Sequence, residues 1–170
     1  MKSLTVLRHA KSRWDDPSLD DFDRPLTPRG WKNARRVGEE LKHRKMQFDL
    51  GLASPAARVR ETLDGVSEGY GAFSFEIRFE KRIYEASAAT LLELVTALPQ
   101  TVNNALLVGH NPGLERLVVE LTGESSLHDQ VAEKFPTAAV AVIELPFDLW
   151  TKLQPGSANL SELILPKDLD

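Results

Sequence analysis

Apolar and polar residues alternate along the chain in a way that predicts strands and helices in turn. Short apolar runs, typical of buried strands, are separated by segments whose apolar residues recur every three or four positions, as on one face of a helix. This order predicts a three-layer α/β/α sandwich around a mostly parallel sheet. The predicted buried strands are residues 4–7, 48–53, 105–108 and 138–145, with a half-buried edge strand at 73–79, and helices begin at Thr27-Pro28, Ser54-Pro55, Ser87 and Leu114.

Breaks in this pattern predict the loops. Residues 12–26 are polar, contain five aspartates, and are expected to form a long loop of the kind that often carries function. Three glycines between positions 65 and 71 are expected to end the second helix. The tail, residues 150–165, is expected to be a short strand or hairpin with Pro155-Gly156 as its turn.

The composition suits one domain, spanning residues 1–170, that is long enough to bury a core of its own. The chain has no cysteine, which excludes disulfides, thiolate metal sites and a cysteine nucleophile. The first apolar run ends after a few residues at Arg8, too early for a signal peptide, and no run is long enough to span a membrane. We therefore expect a cytoplasmic protein.

The charge is unevenly distributed. The net charge is −4, yet residues 1–60 contain 14 Lys and Arg against 8 Asp and Glu, a local balance of +6. An acidic chain with a basic first third favours a local anion site over a nucleic-acid surface, which usually makes a whole domain basic. A solvated helix face at residues 32–45 is the alternative explanation for part of the excess.

Polar clusters follow three of the predicted strands. The first strand stops abruptly at Arg8 and His9, the second leads through Ser54 to Arg58, and the fourth ends at Gly109 and His110. The carboxyl ends of parallel strands share one edge of a sheet, where ligands of α/β proteins usually bind. Two histidines and two arginines are therefore expected to converge there, unless the strands simply reach the surface at these points.

These residue types suit phosphoryl transfer. Arginine offers a permanent charge in a fork that matches phosphate oxygens, and a neutral histidine can act as a nucleophile. Two arginines beside His9 would disfavour its protonated form. Arg58 would lie in the first turn of a helix, where free N–H groups also attract anions, and His110 could donate to an oxyanion. Transfer through a phosphohistidine also needs an acid for the leaving group and a base for water.

Five motifs are spread over most of the chain: Leu7-Arg8-His9-Ala10-Lys11-Ser12, Asp23-Arg24-Pro25-Leu26-Thr27-Pro28-Arg29-Gly30, Ser54-Pro55-Ala56-Ala57-Arg58, Tyr84-Glu85-Ala86 and Val108-Gly109-His110-Asn111-Pro112. In this order they resemble the motifs of the histidine phosphatase superfamily and, within it, of the small SixA-type phosphohistidine phosphatases. The resemblance implies a phosphoglycerate mutase-like fold whose mostly parallel sheet has an antiparallel edge strand.

The resemblance also implies roles for individual residues. His9 would be the phosphorylated nucleophile, and Arg8, Arg58 and His110 would complete the phosphate pocket. Glu85 matches the region where mutase-type relatives carry an acidic residue and is the candidate proton donor; the alternative is a surface glutamate next to a helix cap.

Three further residues are candidates for substrate binding. Arg24 resembles an additional arginine of the SixA branch that closes the site from the long loop, although it could instead pair with a loop aspartate. Lys11 either reaches the substrate or is solvated, and Asn111 adjoins His110 in its motif.

The sequence therefore predicts a metal-independent phosphatase that hydrolyses phosphohistidine in proteins, or phosphomonoesters, through a covalent intermediate on His9. Neither a metal nor a nucleotide cofactor is expected, because metal-ligand spacings and a P-loop are absent from the sequence. The alternatives are a small-molecule phosphomonoesterase or mutase-like enzyme and a non-catalytic phosphate-binding adaptor. Nucleic-acid and membrane partners are not expected, and the oligomeric state is left open.

Overall fold

A computed structural model of the protein describes residues 1–169. Strands and helices alternate along most of this range, and the long loop and the tail contain short 3₁₀ turns. The elements are β1 Lys2–Arg8, α1 Pro28–His43, β2 Leu50–Ala53, α2 Ala57–Tyr70, β3 Glu76–Phe79, α3 Ala88–Thr96, β4 Asn104–Gly109, α4 Gly113–Leu121, α5 Ser126–Glu133, β5 Val140–Leu145 and β6 Asn159–Ile164.

The strands form a single mixed sheet in the order β3-β2-β4-β1-β5-β6. The pairs β3–β2, β2–β4 and β4–β1 are parallel, whereas β5 is antiparallel to both β1 and β6. The predicted fold class is confirmed, and antiparallel pairing is confined to one side of the sheet. The strand that runs against the others, however, is β5, the second from the edge, because the tail returns as β6 beside it.

Helices cover both faces of the sheet, which explains why β1 is a continuous apolar run rather than an alternating one. Side chains of a strand point alternately to opposite faces. Leu4 and Val6 accordingly pack in the cluster formed with α3, α4 and α5, while Leu7 packs in the cluster formed with α1 and α2. Within residues 1–169, none of the helices is both long and apolar enough to cross a membrane.

The helix caps predicted at Thr27 and Ser87 are confirmed. The Thr27 hydroxyl accepts a hydrogen bond from the Gly30 amide, and the Ser87 hydroxyl accepts one from the Thr90 amide. Ser54 is not the cap of α2, because that helix begins later, at Ala57, and its N-cap position is Ala56. The Ser54 hydroxyl accepts a hydrogen bond from the Ala56 amide instead, which leaves it at the end of β2.

The glycines of α2 do not all end it. The helix continues through Gly65 and Gly69 and ends at Gly71, whose φ of +98° is the left-handed conformation that glycine adopts without strain. The two inner glycines allow close contact with α1. A Cβ on Gly65 would lie 2.7 Å from the Ala34 Cβ, and one on Gly69 would overlap the carbonyl of Arg35.

Two features of the second half differ from the prediction. Helix α5 was not predicted, because its sequence is mostly polar and only Val131 in it is buried. The tail does contain a strand, and Gly156 before it has a φ of +75° that suits the predicted turn. That strand, β6, pairs with β5 and thereby extends the sheet.

Candidate active site

The three strand ends predicted to converge do meet at one edge of the sheet. The His9 amide donates to the Gly109 carbonyl at 3.1 Å, and the Ser54 amide donates to the Val108 carbonyl at 3.1 Å. The β1 and β2 ends are thus both tied to the end of β4, which lies between them. The His9 and His110 ring centroids are 5.4 Å apart.

His9 is held as a neutral imidazole of one tautomer. Its Nδ1 lies 2.7 Å from the Ala10 carbonyl oxygen, which can only accept, so Nδ1 carries the proton and Nε2 carries the lone pair. The ring is only 7% exposed. Burial lowers the pKa of His9 to about 3, and the positive field of His110, Arg58 and Arg8 adds to this against the opposing hydrogen bond to Ala10.

His110 is held from the side of β2. Its Nε2 lies 2.8 Å from the Ser54 hydroxyl, while its Nδ1 is buried with no hydrogen-bond partner among the described residues. Burial, followed by the charge on Arg58, lowers the pKa of His110 to about 4. The ring is therefore neutral near pH 7.

Arg8 and Arg58 each have a buried Nε donor without a partner among residues 1–169. Arg8 donates from Nη1 to the Phe135 carbonyl at 3.1 Å, and Arg58 donates from Nη1 and Nη2 to the Asp21 carbonyl and carboxylate at 2.7 and 3.0 Å. The Nε of both arginines is buried and unpartnered among residues 1–169. Buried polar groups are nearly always hydrogen-bonded, so these donors point to an anionic ligand. His110 Nδ1 joins them as a donor in the tautomer in which the Ser54 hydroxyl donates to Nε2, a direction that suits Ser54 because its oxygen already accepts from the Ala56 amide.

Asp21 joins the long loop to this cluster. Its carboxylate accepts hydrogen bonds from Arg58 Nη2, from Arg24 Nε and Nη2 at 3.1 and 3.0 Å, and from the Tyr84 hydroxyl at 2.5 Å. Partial burial opposes ionisation, but the bonds from Tyr84 and Arg24 and the charge on Arg58 hold the pKa of Asp21 at about 2. Burial and the bond to Asp21 raise the pKa of Tyr84 to about 12.

Arg24 fits both of the roles considered for it. It borders the cleft that contains His9 and also pairs with the loop carboxylate of Asp21. Its Nη1 donates to the Ser12 hydroxyl and the Arg13 carbonyl, both at 2.9 Å, and its guanidinium stacks 3.4 Å from the Trp14 ring centroid. These contacts fix the long loop against the end of β1.

Lys11, Glu85 and Asn111 also border this cleft, whose volume is about 870 Å³. Lys11 and Glu85 are exposed at its rim. Asn111 donates from Nδ2 to the Phe135 carbonyl at 2.8 Å, and its buried Oδ1 has no partner among residues 1–169. All eight residues singled out from the sequence thus lie in or around one cleft.

Two contributors were not found from the sequence. Asp21 was one of five loop aspartates, and only its spacing of three from Arg24 hinted at a pair. Phe135 contributes a backbone carbonyl, which receives Arg8 and Asn111 alike, and no side-chain pattern can indicate such a role.

The sequence profile of the histidine phosphatase superfamily (branch 1) matches residues 4–102, more than half of the chain. The chain belongs to the histidine phosphatase superfamily. It is therefore an enzyme that hydrolyses phosphate bonds, and the cleft around His9 is the candidate site for that chemistry.

Individual relatives match this histidine phosphatase over most of its length. It is 32% identical to an uncharacterized protein of Mycobacterium tuberculosis (strain CDC 1551 / Oshkosh), over 95% of this chain and 100% of that protein. It is 29% identical to the phosphohistidine phosphatase SixA of Escherichia coli (strain K12), over 82% of this chain and 83% of that one. A crystal structure from Agrobacterium tumefaciens, described as a candidate phosphohistidine phosphatase SixA, is 30% identical, covers 97% of this chain and 98% of that one, and superposes with a TM-score of 0.83.

The buried histidines of this histidine phosphatase predict how folding stability depends on pH. The folded pKa values of His9 and His110, about 3 and 4, lie below the ordinary histidine pKa of 6.5. Between these limits the unfolded chain binds more protons, so the free energy of unfolding falls as the pH drops from about 6.5 towards 4. His9→Asn should reduce this slope by up to about 1.4 kcal/mol per pH unit, measured by urea unfolding between about pH 4.5 and 6.

His43→Asn is the matched control, because His43 is exposed at the end of α1 and should leave the slope unchanged. A slope that is the same in wild type and in His9→Asn would contradict a buried, neutral His9.

Asp21 is predicted to stabilise the fold through the arginines it pairs with. Asp21→Asn should lower the free energy of unfolding at pH 7 by about 1–2 kcal/mol. In this variant Arg58 and Arg24 remain buried without the carboxylate that balances their charge. The loss is limited because the Asp21 side chain is 40% exposed and water screens the pair. Asp23→Asn, an exposed neighbour in the same 3₁₀ turn, should change stability by less than about 0.5 kcal/mol. Equal losses in the two variants would contradict the prediction that Asp21 stabilises the fold by pairing with Arg24 and Arg58.

Proposed function

We propose that this histidine phosphatase removes the phosphoryl group from phosphohistidine in proteins through a covalent intermediate on His9. The observation that carries the proposal is the state of His9: a buried neutral ring whose Nδ1–H is tied to Ala10 and whose Nε2 lone pair is left for chemistry. The similarity to the Escherichia coli protein named phosphohistidine phosphatase SixA supports the substrate class.

In the first step, His9 Nε2 attacks phosphorus and the bond between phosphorus and the substrate imidazole nitrogen breaks. The unpartnered donors on Arg8, Arg58 and His110 suit the three equatorial oxygens, whose charge they would stabilise in the transition state. These donors are held in place by contacts on their other atoms, so little reorganisation is needed when the phosphoryl group arrives.

In the second step, water attacks the phosphorylated His9, inorganic phosphate leaves, and the neutral ring is restored. The substrate imidazole that left in the first step takes up a proton as it departs. Once protonated it is a good leaving group, so it needs little help from an acid of the enzyme. Glu85 is the candidate acid for this proton and the candidate base for the water, since it lies exposed on the rim of the same cleft.

Asp21 is proposed to organise the cleft rather than to transfer protons. With a pKa of about 2 it stays ionised at pH 7, and its carboxylate is occupied by Arg24, Arg58 and Tyr84. It therefore orients Arg58 towards the cleft and closes the long loop over it.

A second candidate is a small-molecule phosphomonoesterase, and the position of Glu85 is the observation that favours it. An alkoxide is a poorer leaving group than an imidazole and needs a proton from an acid at the rim of the cleft. Phosphoester hydrolysis would therefore depend on Glu85 far more than phosphohistidine hydrolysis does.

His9→Ala should lower phosphate release from a phosphohistidine peptide and from p-nitrophenyl phosphate by about 10³-fold or more, because no covalent intermediate can form. Both assays are run in EDTA, and wild type should remain active there. His43→Ala, a histidine outside the cleft, is the matched control and should keep full activity. Substantial residual turnover in a folded His9→Ala enzyme would refute the covalent mechanism.

Glu85→Gln should slow p-nitrophenyl phosphate hydrolysis by about 10²-fold and phosphohistidine hydrolysis by less than about tenfold, if Glu85 protonates the leaving group. Glu93→Gln, an exposed glutamate on α3, is the control and should affect neither substrate. Equal effects of Glu85→Gln on both substrates would assign Glu85 a structural role.

A further inference from the structure

A second cavity, of about 1180 Å³, adjoins the cleft around His9. The two share Lys11, Lys134, Pro136 and Thr137, so these residues separate neighbouring cavities. Its walls are the first turns of α1, the end of α5 and the segment that follows β6. We call this cavity the basic groove, after six of its lining residues: Lys11, Arg29, Lys32, Arg36, Lys134 and Lys167.

The charge of the basic groove is opposite to that of the whole chain. Glu133 is the single carboxylate among the groove's lining residues, whereas the net charge of the chain is −4. The side chains of Lys11, Arg29, Lys32, Lys134 and Lys167 are exposed and have no hydrogen-bond or ion-pair partner among residues 1–169.

Several exposed arginines elsewhere have carboxylate partners. Clear cases are Arg13 with Asp15, Arg35 with Glu68, Arg44 with Glu40, Arg78 with Glu76 and Arg82 with Glu80. The five unpaired side chains of the groove, by contrast, lie together in one concave surface, where like charges concentrate a positive field.

The start of α1 adds to this field at a cost to the helix. A helix N-terminus is the positive end of the helix dipole and favours acidic residues, yet the first turn of α1 has none and instead carries Arg29, with Lys32 one turn further on. Helix stability therefore does not explain these side chains.

We propose that the basic groove binds an acidic segment of the phosphohistidine-bearing protein while the phosphorylated side chain enters the cleft around His9. This inference rests on the function proposed above. Charge complementarity identifies the segment as one rich in Asp and Glu.

The size and spread of the groove favour a protein segment over a small bisphosphate. Its cations come from four separate parts of the fold (the loop after β1, α1, the end of α5 and the segment after β6), and its volume exceeds that of the catalytic cleft. The long loop that borders the cleft also exposes Trp14, Leu19 and Phe22, apolar side chains of a kind that protein interfaces cover.

The test compares two synthetic phosphohistidine peptides of equal length, one flanked by glutamates and one by glutamines. Wild type should cleave the acidic peptide with a kcat/KM roughly tenfold higher than that for the neutral peptide at low ionic strength, and salt should remove the difference.

Lys32→Glu/Lys167→Glu should abolish this preference by raising KM for the acidic peptide. Its kcat, and its activity on the neutral peptide and on p-nitrophenyl phosphate, should remain unchanged.

The matched control is Lys45→Glu/Lys152→Glu, which makes the same change in charge away from the groove. Lys45 follows the C-terminus of α1, and Lys152 lies in a 3₁₀ turn whose Trp150 is hydrogen-bonded to Val102 before β4, at the opposite edge of the sheet. This control should keep the preference for the acidic peptide.

Each other outcome overturns a specific part of the proposal. The proposed role of the basic groove is rejected if wild type cleaves both peptides equally, or if the preference for the acidic peptide persists in Lys32→Glu/Lys167→Glu. Neither result contradicts the proposed phosphatase function. The same holds if the groove variant loses activity on both peptides alike. If wild type cleaves neither peptide, the proposed function itself is rejected.

Discussion

The arrangement of the cleft depends on how the burial of permanently charged arginines is compensated. Burying a guanidinium is costly unless carboxylates or carbonyls replace its hydration. Asp21 compensates Arg24 and Arg58, and Glu115 acts on Arg8, so three positive charges face two negative ones. Burial keeps both histidines neutral, and the excess of positive charge adds to this effect, because protonation would increase the excess. A phosphoryl group in the cleft would supply the missing negative charge.

The sheet makes this concentration of charge possible. Parallel strands β1, β4 and β2 bring their ends to one edge, and backbone hydrogen bonds between those ends fix the spacing of the side chains that follow. The residues that follow these three strands therefore lie next to one another in the fold, although they are far apart in the sequence. The long loop then contributes one carboxylate, and the connection before β5 contributes one carbonyl, at Phe135.

Much of the fold and of the cleft could be predicted from the sequence, because both depend on local patterns. A buried strand that ends in Arg8-His9 and a helix whose first turn contains Arg58 are visible as hydrophobic periodicity followed by charge. Asp21 could not be singled out, since its role comes from folding a loop back on residues far away in sequence. Helix α5 could not be predicted because it buries only Val131. Gly65 and Gly69 could not be recognised as residues inside a helix, because they are needed for close packing against α1, which local sequence does not reveal.

The glycine contact between α1 and α2 has a geometric consequence. A Cβ on Gly69 would overlap the backbone of α1, and one on Gly65 would press on Ala34, so the two helices pack this closely only because both positions are glycine. The N-terminal end of this helix pair carries Arg29 and Lys32 on α1 and Arg58 on α2. The distance between the basic groove and Arg58 therefore depends on two glycines that lie in neither site.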